Sequence, residues 1–83
     1  SIHKLFGDFV VPNVLNNITE IGLVRASIPQ YGALETFPYE KDDIVAVIPK
    51  DIFIQKNTPV EIEAFHGIPL AISFDISDTV YTV

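Results

Sequence analysis

The 83-residue chain contains no cysteine, methionine or tryptophan. Without cysteine there is no disulfide, no thiolate metal site and no thiol nucleophile. Small secreted domains commonly lean on disulfides, so this absence tilts the expected setting toward the inside of a cell or of a virion. Positive charge is scarce as well. Five basic residues, Lys4, Arg25, Lys41, Lys50 and Lys56, stand against eleven acids, for a net charge of −6. They are scattered, and residues 57–83 hold four acids and no Lys or Arg. A chain with this balance repels phosphate backbones, so no nucleic-acid partner is expected. Long apolar runs are missing too. The longest strong one, Ile44 to Ile48, falls far short of the roughly 18–20 residues that cross a bilayer. Gly7 and Asp8 cut off Lys4-Leu5-Phe6 at once, so no leader pattern and no membrane partner are expected.

What the chain has in abundance is β-branched bulk: twelve isoleucines and nine valines. Such side chains are stiff at χ1 and fit a pleated surface, so the overall preference is strand. Six prolines and four glycines punctuate the sequence and leave little room for long helices. The length sets one domain, 1–83.

The sharpest pattern lies between Val60 and Ile76. Val60, Ile62 and Ala64 alternate with Glu61 and Glu63, and the alternation resumes at Ile68, Leu70, Ile72, Phe74 and Ile76. A three-residue loop, Phe65-His66-Gly67, pairs Ala64 with Ile68, Ile62 with Leu70 and Val60 with Ile72, and puts glycine where a left-handed residue is wanted. A two-residue His66-Gly67 turn would instead set Glu61 and Glu63 against Leu70 and Ile72, which burial disfavours.

Elsewhere Ile21 to Ile28 reads as a strand ended by Pro29, and Ile44 to Ile48 as a strand covered on both faces. Residues 30–43 read as a solvated loop carrying the charge cluster Glu40-Lys41-Asp42-Asp43. The first third is ambiguous. Val14, Ile18 and Ile21 have helical spacing, with Pro12 suited to a first turn and Gly22 to a stop. Asn16-Asn17 is equally suited to turn a hairpin between Phe9–Leu15 and Ile18–Ile28. The expected fold is therefore all-β, a small antiparallel barrel or sandwich with a hairpin around Val60–Ile76. The alternative is α+β with one short helix near 12–21.

No catalytic, cofactor-binding or metal-ligating residue is expected. His3 lies near the chain end and His66 in a turn, and Asp42, Asp43 and Asp51 lack the glycine and distal glutamate of a calcium loop. Two surface features remain. Tyr31, Phe37 and Tyr39 are three aromatics within nine residues, suited to anchor an interface or to cap the core. Glu61, Glu63 and Asp75 share the polar face of the expected hairpin.

So small a chain cannot hide all its oily side chains, and its mean hydropathy is positive. The expected role is that of a non-enzymatic structural or assembly protein, a β-rich subunit acting through protein–protein contacts in an oligomer or larger particle such as a virion or capsid. The alternative is an acidic module or inhibitor that occupies a basic site on a partner protein.

Overall fold

The computed structural model describes residues 1–41, 43–50 and 65–81. Five strands form one mixed sheet: β1 Ile2–Leu5, β2 Ile21–Arg25, β3 Leu34–Pro38, β4 Ile44–Pro49 and β5 Leu70–Ser73. Helix α1, Gly7–Leu15, joins β1 to β2, and a 3-10 turn, Phe74–Ile76, leads from β5 into the short helix α2, Ser77–Tyr81. Spatial order is β1-β5-β2-β4-β3. The sheet is open, not a closed barrel, and its β1–β5–β2 side is parallel.

That order corrects the expected hairpin. β5 has two edges, and both are taken by parallel neighbours: Ile2 and Ile21 oppose Leu70, and Lys4 and Leu23 oppose Ile72. The partners expected for Leu70 and Ile72, namely Ile62 and Val60, lie with the rest of residues 51–64 outside the described residues. The alternation also stops earlier than its sequence suggests. After Ser73 the chain coils, leaving Phe74 half exposed while Ile76 stays buried. A strand buried on both faces needs no alternation, and all four residues of β5 are buried. The turn itself survives. The Ile68 N–H donates to the Phe65 carbonyl at 2.9 Å, and Gly67 sits at φ +79°.

The first third does hold a helix, α1, which begins five residues earlier than the periodicity suggests. Alone in water nine residues would not hold a helix. Burial of Val10, Val11 and Val14 against Val24, Val47 and Ala71 does so here. Each such side chain contributes about 1.5 kcal/mol or more when removed from water. Pro12 lies inside the helix and faces solvent; having no N–H, it cannot donate to the Asp8 carbonyl, which costs about 3 kcal/mol in a helix interior. The asparagines that argued for a hairpin turn end the helix instead. Asn17 is left-handed at φ 60°, the Ile18 N–H donates to the Asn13 carbonyl, and the Asn17 N–H to that of Val14, both at 3.0 Å. This pair of bonds is a Schellman motif, in which asparagine takes the place usual for glycine. Buried Thr19 donates its hydroxyl to the Asn13 side chain at 2.8 Å, tying the exit to the last turn.

Gly22, expected as a helix stop, lies inside β2 directly beneath α1. A Cβ there would come within 2.6 Å of Val10 Cγ1, 3.0 Å of Val47 Cγ2 and 3.1 Å of Val14 Cγ2. The opposite face carries the larger core. Ile21, Leu23, Ile44, Ala46, Ile48, Leu70 and Ile72 pack there with Ile76 and Val80 from the β5–α2 segment. β4 is thus covered on both faces, as its apolar run suggests.

Residues 30–43 are not all loop. β3 runs antiparallel to β4 and places Phe37 and Tyr39 in the larger core. The Tyr39 hydroxyl donates to the Val80 carbonyl and Lys41 Nζ to the Thr79 carbonyl, both at 3.2 Å, so this segment secures the end of α2. Punctuating residues and charge masked a strand only five residues long.

Two substitutions test these contacts. Gly22→Ala forces three stiff valines apart and is expected to cost about 1–3 kcal/mol in a urea melt. Among the described residues Gly67→Ala brings its methyl group within 4 Å of nothing, so its expected cost of about 1–2 kcal/mol comes from the left-handed backbone. A neutral result at Gly22 contradicts the close approach of α1, and one at Gly67 contradicts the left-handed turn.

Candidate functional site

β1 and β5 leave the sheet at the same end but on opposite faces. β1 runs into α1 above the smaller core, and β5 into the 3-10 turn and α2 above the larger one. In open sheets with parallel strands, such a reversal opens a crevice at the carboxyl ends. Here a cleft of about 600 Å³ occupies that position. Phe6, Gly7 and Asp8 line it from β1 and α1, Ser73, Phe74 and Asp75 from β5, and Arg25 from the end of β2.

Two features stand out at its mouth. The first is aromatic. Phe6 and Phe74 stack with ring centroids 5.4 Å apart, tilted by 59°, yet they are 69% and 50% exposed. Phe9, nearly one helical turn beyond Phe6, is 61% exposed. Rings of this size are ordinarily core material, so their exposure together is unusual for a small domain.

The second feature is ionic. Arg25, the chain's one arginine, donates from Nε to Asp75 Oδ2 at 3.1 Å and from Nη1 to both Asp43 carboxylate oxygens at 3.0 and 3.2 Å. It thereby ties the end of β2 to the approach to β4 and the exit of β5. Asp43 chiefly, with Asp75, raises the Arg25 pKa above its ordinary value. Buried Ser73 donates its hydroxyl to Asp75 Oδ1. That bond first, and Arg25 second, hold the Asp75 carboxyl below the usual carboxylate range. Gly7 lets Ser73 approach, since a Cβ on residue 7 would lie 3.1 Å from the Ser73 hydroxyl. No described histidine lines the cleft. Among the described residues no group of three or more His, Asp or Glu could hold a metal ion. No described helix is long and apolar enough to cross a membrane.

The residues singled out from sequence are dispersed. Tyr31 is on the surface, 37% exposed, whereas Phe37 and Tyr39 are buried at 5% and 3% and cannot anchor a partner on the folded domain. Both side chains, Phe37 from β3 and Tyr39 just beyond it, belong to the larger cluster, which is the core reading of the two. Asp75 does not share a hairpin face. It lies in the 3-10 turn, paired with Arg25, while Glu61 and Glu63 lie outside the described residues. Sequence reasoning passed over Arg25, Phe6 and Phe74. The available signal was a single arginine closing the apolar stretch Ile21–Val24.

Comparison with protein-family models, curated proteins and solved structures returned no match. The functional reading therefore rests on this geometry.

A pH series tests the Asp75 contact. Because its folded-state pKa is depressed, the stabilisation is fully present above the unfolded value near 4 and is lost as pH falls through the folded one. The magnitude is modest, since half-exposed pairs are screened. Asp75→Asn is expected to lower stability at pH 7 and to match the parent once both are acidified below the folded value. A deficit unchanged at pH 2 shows that the carboxylate charge is not responsible.

Proposed function

We propose that this domain is a non-catalytic assembly unit that works through protein–protein contact, using the aromatic end of its sheet. The observation that carries this reading is the exposure of Phe6, Phe9 and Phe74 together beside the Arg25 ion-pair cluster. Aromatic side chains with arginine form the composition typical of interface centres. The shortage of interior space supports the same reading: three phenylalanines stay outside the two cores.

The contact uses side chains in preference to strand addition at β3. Backbone bonds at the flanking pairs Ala33–Lys50 and Tyr39–Ile44 fix the alternation of the β3–β4 ladder. Leu34, Thr36 and Pro38 therefore turn their backbone groups outward. Pro38 has no N–H, and the Leu34 N–H already donates to the Tyr31 carbonyl at 3.1 Å. Of these three only Thr36 keeps an outward donor, so this edge is blunted against pairing. Membership of a virion or other large particle would be one setting for such a unit.

Light scattering across a wide concentration range tests the proposal. The parent chain is expected to self-associate, and Phe6→Ser with Phe74→Ser to remain monomeric with an unchanged urea midpoint. A parent that stays monomeric throughout contradicts self-assembly, and a double variant that associates normally removes this surface from the contact.

A further inference from the structure

The cleft is more specific than a greasy patch. Asp8 and Asp75 lie in its wall, and Asp75 with Asp43 bonds one guanidinium, that of Arg25. That guanidinium is already engaged through Nε and Nη1, so an incoming anion would meet an excess of negative charge. A cation would meet the reverse: the carboxyl groups of Asp75 and Asp8, and two exposed aromatic rings at the mouth. Aromatic faces attract ammonium and guanidinium groups through the ring quadrupole. The whole chain, at −6, adds long-range attraction of the same sign.

We infer that the cleft at the carboxyl ends of β1, β5 and β2 receives an arginine or lysine side chain from an extended basic segment of a partner protein, its cationic head between Asp8 and Asp75 and its stem along Phe6 and Phe74. This deepens the contact reading above by naming the partner's chemistry, and rests on it. Charge complementarity and the geometry of the cleft select the occupant. About 600 Å³ admits one long side chain with its flanking backbone. The helix α1 begins at the same place, but Asp8 in its first turn already answers the helix dipole, so that terminus adds little attraction for an anion.

Titration of the full 83-residue chain, followed by amide NMR shifts, tests the inference with four probes. They are a synthetic pentapeptide with a central arginine between neutral residues, the same peptide with glutamine in that place, agmatine, and inorganic phosphate. The arginine peptide is expected to shift the amides of Gly7, Asp8, Phe74 and Asp75 saturably, more weakly as salt rises, and the glutamine peptide not to. Phe74→Ala is expected to weaken binding by about two- to fivefold, the worth of one exposed cation–π contact. Asp8→Asn weakens it independently, without disturbing the Arg25 cluster. Equal binding of the two peptides, or binding of phosphate at these amides, overturns the inference. Agmatine binding as tightly as the peptide overturns a polypeptide as the occupant. Self-association lost in the Phe6→Ser/Phe74→Ser variant, with no peptide binding by the parent, would refute the basic segment while leaving the contact surface standing.

Discussion

Everything in this fold depends on β5 being held on both edges. It is the last strand in the sheet's chain order, yet it lies between β1 and β2, so the first twenty-five residues cannot complete their sheet until residues 70–73 arrive. A parallel pair cannot be closed by a tight turn, and its crossover must be covered by something; here α1 supplies the cover. The same constraint shapes the surface. Because β1 and β5 exit to opposite faces, the sheet gapes at their carboxyl ends, and Phe6, Phe74, Arg25 and Asp75 come together there.

α1 sits close on the sheet only because position 22 has no side chain. Three valines converge on that spot, two from the helix and one from β4. Their stiffness makes the fit exacting, whereas flexible side chains would have left room for error. On the opposite face, α2 is too short to be stable by itself and is secured by its carbonyls, through Tyr39 and Lys41. Both helices thus owe their existence to packing and tethering more than to intrinsic propensity.

Much of the architecture was legible in the residues. The β-branched bulk announced a strand-rich domain, the Ile44–Ile48 run a strand covered on both faces, and Gly67 a left-handed turn. Strand partners were not legible. The alternation at Leu70–Ile72 is compatible with an antiparallel hairpin or with parallel neighbours far away in the chain, and only tertiary contacts decide between them. The asparagines at 16 and 17 were ambiguous for a related reason: a left-handed residue ends a helix or turns a hairpin equally well. The candidate interface went astray at Phe37 and Tyr39 because neighbouring glycine, proline and charge hid a short strand facing the core. Arg25 drew little notice, since a single cation gains meaning only when Asp43 and Asp75 are brought to it from 18 and 50 residues away.

Amide hydrogen exchange tests the central constraint most directly. If β5 is locked on both edges, the amides of Leu70–Ser73 exchange only when the whole domain unfolds, with an opening free energy equal to that from denaturant melts, while the outward amide of Thr36 exchanges rapidly. Leu70–Ser73 exchanging as fast as Thr36 would contradict an inserted central strand, and with it the cleft that the strand's exit creates.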